Sequence, residues 1–120
     1  MKERTVARSA PRSPLNLEAE LVAGPSGDPR TVRVLTRDLG VGGALCESPE
    51  ALPEGSSVSL CLSLPATRTA GPETVVIPAI ISRVEGSGPC TLALRFGDPR
   101  SAPIRALGRF LLRARDPMAR

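Results

Sequence analysis

At 120 residues the chain has room for one domain, and with 41% hydrophobic residues it can bury a modest core. Phe96 and Phe110 are its only aromatic residues, so Val, Leu, Ile and Ala must fill that core; thirteen prolines and eleven glycines favour short strands over long helices. The net charge of +4 is unevenly spread: Lys2, Arg4, Arg8 and Arg12 oppose Glu3 at the start, six arginines oppose ten acids over residues 13–99, and six arginines oppose Asp116 over residues 100–120.

Two basic ends on a slightly acidic body can attract a phosphate-bearing partner, or merely aid solubility. There is no histidine, and Cys46, Cys61 and Cys90 are widely spaced with no Cys-x-x-Cys. This argues against a metal site and against histidine-dependent catalysis, and it reads as buried free thiols in a reducing compartment. The basic start has no apolar stretch behind it, and no apolar run reaches membrane-spanning length. The expectation is a cytoplasmic protein with no membrane insertion.

Residues 1–14 read as a flexible basic arm, with Pro11 and Pro14 keeping it extended. Residues 15–22, "LNLEAELV", alternate strictly, with Leu15, Leu17, Ala19 and Leu21 on one face and Asn16, Glu18 and Glu20 on the other. That is a strand with one wet face. After the turn "AGPSGDP", residues 30–37 form a second strand, with Val32, Val34 and Thr36 opposite Arg33, Leu35 and Arg37. The glycine-rich "DLGVGG" then reads as a turn, its glycines supplying positive φ or close chain approach. "ALCE" starts a short third strand.

"SPEALPEGSS" is a loop turning at residues 53–55, and "SVSLCLSL" is a strand with Val58, Leu60, Leu62 and Leu64 on one face. "TVVIPAIISRVE" is a long strand in which Pro78, lacking an N–H, marks an edge position or a bulge. "GSGP" is a hairpin loop, and "CTLALRF" is the last strand. The period then changes: Ile104, Leu107, Leu111 and Ala114 recur at helical spacing beside the stripe Arg105, Arg109 and Arg113. A helix over about 102–115 follows, with Ser101 as its cap and Pro103 in its first turn. The predicted fold is all-β: a small antiparallel barrel of six or seven strands over 15–115, closed by the C-terminal helix. Residues 116–120 are a disordered tail.

The order of these features resembles the PilZ domain, a small bacterial barrel known as a receptor for cyclic di-GMP. An Arg-x-x-x-Arg signature stands as "RSAPR", Arg8 to Arg12, just before the first strand. An Asp-x-Ser-x-x-Gly-like signature stands as "DLGVGG", Asp38 to Gly43, after the second. "GGALCES", "LPEGSSVSLCLSLP" and the final "LALRF" add to the likeness, which covers residues 8–113. The block 38–65 is similar to single-domain variants of myxobacteria and their relatives.

The resemblance implies that Arg8 and Arg12 clamp the dinucleotide. A guanidinium fork suits phosphate oxygens or guanine O6 and N7, and its plane can stack on a purine. Asp38 would accept hydrogen bonds from guanine N1 and N2, and Gly43 would leave room for the ligand. Gly40 stands where the family has serine, so one hydroxyl is missing from the site. Arg33 and Arg37, beside the turn, either add charge to the pocket or form the wet side of a strand.

No nucleophile–base pair is evident, so the reading is not an enzyme. It is a cyclic di-GMP-binding effector without further cofactor, passing its signal to an unidentified protein partner. The alternative is a degenerate PilZ adaptor that binds no nucleotide and works through protein contacts in motility, pilus or polarity control. DNA or RNA binding is not expected, because aromatic residues for base stacking are missing. The arginine stripe reads as the solvated side of the helix or as a partner surface.

Overall fold

The computed structural model describes residues 12–13, 16–24, 29–68 and 70–115. Among these residues seven strands precede one helix: β1 Arg12–Ser13, β2 Glu18–Ala23, β3 Arg30–Gly40, β4 Gly43–Ser48, β5 Ser57–Leu64, β6 Glu73–Glu85, β7 Cys90–Phe96 and α1 Ala102–Arg115. Every pairing is antiparallel, in the order β1-β3-β2-β5-β6-β7-β4. β4 also returns to pair with β3, so β2 to β7 close into a six-stranded barrel and leave no free edge among themselves. The predicted all-β barrel with its terminal helix is the fold.

Alternation drives the closure. Val58, Leu60, Leu62 and Leu64 of β5 are buried, as are Cys90, Leu92, Leu94 and Phe96 of β7 and Ala19 and Leu21 of β2. Two-residue periodicity with one apolar face can only be satisfied by turning that face inward. α1 buries Ile104, Ala106, Leu107, Phe110 and Leu111 against the barrel, touching β6 and β3. Arg105 and Arg109 stay exposed, as expected for the stripe, but Ala114 is exposed rather than on the buried side. The helix has run past the barrel by that point.

Several local expectations change. β3 runs to Gly40, so Asp38 and Leu39 belong to a strand, and only Val41 and Gly42 make the turn. None of Gly40, Gly42 and Gly43 has positive φ; that conformation occurs at Gly24, Gly55, Gly86 and Gly88 instead. Pro78 sits opposite Ser59 of β5, and β7 joins β6 only from Ala79, so the proline stands where β6 has one neighbour. The irregularity in β6 comes later, between Ile81 and Arg83. Ser101 accepts at its carbonyl from the Arg105 N–H (3.0 Å), in the manner of a cap residue, but its hydroxyl has no partner. Asp98 closes the turn that leads into the helix: its carboxylate accepts from the Arg100 N–H at 2.9 Å, and its carbonyl from the Ser101 N–H at 3.0 Å. The Arg100 backbone and side-chain hydrogen bonds hold the exposed Asp98 carboxyl below its ordinary range. Cys46 and Cys90 are buried thiols, whereas Cys61 is only half-buried, on the outer side of β5.

Candidate functional site

The end of β3 is built around a change of parity. Val32, Val34 and Thr36 face inward, and one more alternation would send Asp38 into the apolar core. The β3–β4 register instead slips between Thr36↔Cys46 and Asp38↔Leu45. This bulge inserts an extra residue, turns Leu39 inward, and puts half-buried Asp38 on the outer face beside Leu45. A carboxylate is thereby kept out of a core that could not solvate it and presented on the barrel surface. Next to it, exposed Arg37 is ion-paired with Glu47 of β4.

The opposite edge of β3 receives the arm. β1 pairs Arg12 with Gly40 and Ser13 with Leu39, while β2 pairs Glu18 with Leu35. The arm and β2 therefore lie along one edge of β3, with one extra residue between them. Thr36, fully buried, pins that junction: its hydroxyl accepts from the Leu17 N–H at 2.9 Å, and its own N–H donates to the Leu17 carbonyl at 2.9 Å.

Gly43 owes its identity to packing. A Cβ there would lie 2.2 Å from the carbonyl oxygen of Leu94, because β4 and β7 approach closely where Gly43 opposes Arg95. A side chain at Gly42 would meet nothing within 4 Å. The Gly42 carbonyl accepts from the Phe96 N–H at 3.0 Å, tying the hairpin tip to β7. Val41 reaches the helix: its Cγ1 lies 3.3 Å from where a Cβ on Gly108 would be.

The structure thus brings Arg12, Asp38, Gly40 and Gly43 onto neighbouring strands at one end of the barrel. Arg8 lies outside the described residues, and so does the proposed 116–120 tail. Arg37 adjoins Asp38, but Arg33 is five residues upstream, roughly 16 Å along an extended strand. It lines a separate outer groove of about 1000 Å³ with Glu18, Glu20, Glu47 and Glu85. That groove contains none of the signature residues and is too acidic to suit an anion. Cys61 also lines it, and burial, then the nearby Glu20 carboxylate, raise its thiol pKa. Among the described residues no group of His, Cys, Asp or Glu is placed to hold a metal ion, and no helix is long and apolar enough to cross a membrane.

A closed six-stranded antiparallel barrel with a capping helix, carrying an Asp/Gly hairpin beside a basic arm, defines a small binding domain. The PilZ domain family model matches residues 7–113, and the chain belongs to that family of cyclic di-GMP receptor domains. Solved structures share the fold, two of them as follows. One is the inhibitor of motility MotI/DgrA of Bacillus subtilis, with 18% identity and TM-score 0.71, covering 93% of this chain and 53% of that one. The present chain thus spans about half the length of the Bacillus protein. The other is the PilZ domain of YcgR from Escherichia coli with c-di-GMP, with 17% identity and TM-score 0.60, covering 90% of this chain and 92% of that one. No curated protein matches the sequence.

Proposed function

We propose that the protein is a cyclic di-GMP-binding adaptor whose arm, through Arg8 and Arg12, closes over a nucleotide held at Asp38, Gly40 and Gly43 and passes the signal to a protein partner. The observation that carries this reading is the β1–β3 register, which sets Arg12 directly opposite Gly40, two residues from Asp38. Two signatures 26 residues apart in sequence become backbone neighbours, as a two-part clamp requires. A carboxylate on the outer face can accept from guanine N1 and N2, and arginine forks suit phosphate or the guanine edge. Arg37, with its carboxylate partner, is a secondary contributor. Among the described residues the arm pairs with the barrel at Arg12 and Ser13, so ligand contacts at that edge can change the surface that a partner meets.

Gly40 supports a second reading, a PilZ adaptor that binds no nucleotide, because it lacks the hydroxyl the family places there. One missing neutral hydrogen bond is worth about 0.5–1.5 kcal/mol, or roughly 2- to 13-fold in affinity, which weakens binding without removing it. Titration calorimetry with cyclic di-GMP separates the two. Saturable binding that is lost in Arg12→Ala and Asp38→Ala, and strengthened in Gly40→Ser, supports the receptor. A folded wild-type protein that gives no heat at high ligand concentration establishes the ligand-free adaptor instead.

A further inference from the structure

We infer that the acidic outer groove is a docking site for a second copy of this chain, taking the arginine face of that copy's α1 in a head-to-tail association that needs no nucleotide. The groove, of about 1000 Å³, presents four carboxylates against Arg33 as its one lining cation. Strand register builds it: Glu18 stands opposite Leu35, Leu35 opposite Glu47, Glu47 opposite Thr91, and Thr91 opposite Glu85. Three carboxylates thus fall in one row across five strands, and Glu20 lies two residues along β2 from Glu18. Glu47 and Glu85 are ion-paired with Arg37 and Arg83, whereas Glu18 and Glu20 make no ion pair or hydrogen bond through their side chains among the described residues. Leu35, half-buried between Glu18 and Glu47, adds an apolar contact point.

The complementary surface is on the same chain. α1 contains no acidic residue, and its outward stripe Arg105, Arg109 and Arg113 makes no ion pair among the described residues. Beside the stripe, Leu112 is 67% exposed, a large apolar side chain that nothing in the barrel covers. The spacings agree: Glu18 and Glu20 are roughly 7 Å apart along β2, and Arg105 and Arg109 about 6 Å apart along the helix. Two uncommitted carboxylates can therefore meet two uncommitted guanidinium groups, while Leu112 has Leu35 to pack on. Geometry makes the contact intermolecular. α1 packs beside Val41, next to where β4 begins, whereas Glu47 lies roughly 13 Å further along β4 from Gly43. Groove and helix stand at opposite ends of β4, so the contact is heterologous and each copy keeps one free surface of each kind.

The test is sedimentation velocity of the full chain under reducing conditions, so that half-buried Cys61 cannot cross-link, with interference optics because the chain has no Trp or Tyr. At about 0.01 M salt, where the Debye length is about 30 Å, wild type should form larger species as concentration rises; at about 1 M it should sediment as a monomer. The groove variant Glu18→Lys/Glu20→Lys and the helix variant Arg105→Glu/Arg109→Glu should each associate about tenfold or more weakly. Mixed in equal amounts they should stop at a one-to-one dimer, because each retains one intact surface. A chain carrying all four substitutions should associate again, which also shows that the reversed residues do not unfold it. Lys2→Glu/Arg4→Glu should behave like wild type. A wild type that is monomeric at every concentration in low salt overturns the inference, as does a closed dimer that grows no further. Failure of the two variants to pair overturns it too, and so does loss of association in Lys2→Glu/Arg4→Glu, which would assign the groove to the basic N-terminal segment.

Discussion

Substituting alanine at Gly43 and, separately, at Gly42 tests the packing account of the signature hairpin. The added Cβ at position 43 would sit 2.2 Å from the Leu94 carbonyl oxygen and 3.3 Å from its carbon. Carbon–oxygen contacts between strands settle at about 3.3–3.6 Å, so the β4–β7 ladder must open by roughly 1 Å. Both colliding groups are backbone, and no rotamer change relieves them. Overpacking of this kind costs about 1–3 kcal/mol, and alanine returns about 0.4–1 kcal/mol by restricting the unfolded chain. Loss of the Phe96 N–H bond to Gly42 as the strands part adds about 1 kcal/mol. The net expectation is a destabilisation of about 1–3 kcal/mol, or roughly 5–20 °C in melting temperature for a domain of this size. Gly42→Ala, meeting nothing, should stay close to wild type. With no Trp or Tyr in the chain, far-UV circular dichroism is the appropriate probe. If Gly43→Ala melts together with Gly42→Ala, the close approach of β4 and β7 does not explain the glycine.

Two further outcomes follow from buried groups. Thr36→Val keeps the shape but leaves the Leu17 N–H without its side-chain acceptor, costing about 1–3 kcal/mol. Urea unfolding should show the loss, with faster hydrogen exchange at the Leu17 amide; a variant as stable and as protected as wild type would remove Thr36 from its anchoring role. Burial raises the Cys46 thiol from an ordinary 9.0 to about 12. The folded chain then keeps a proton that the unfolded chain releases, so this stabilisation is whole below pH 9 and falls as pH rises from 9 towards 12. Between pH 7.5 and 10.5 the urea-derived stability should drop by about 2 kcal/mol from this group. Cys46→Ala should lose most of that slope, and an unchanged slope would refute the assignment.

Much of the barrel was legible because two-residue alternation over an apolar face has few folded solutions. The β5 and β7 patterns could be read directly, and so could the switch to helical spacing after residue 101. The bulge at Thr36–Asp38 was harder to see. Its trace is the three-residue step from Thr36 to Leu39 between inward positions, repeated from Ile81 to Val84, and a strict period of two hides both. Reading "DLGVGG" as one turn followed from its glycines, but Gly40 is strand and Gly43 is a contact residue.

The sequence alone determined the class of fold, the two signatures and the departure at Gly40, since apolar periodicity and motif order are properties of a single chain. Tertiary structure decided the site. Whether Arg12 meets Gly40, whether Asp38 faces water or core, and which glycine cannot bear a side chain all depend on register between strands distant in sequence. Register is set by the whole closed ladder, so no local stretch contains it.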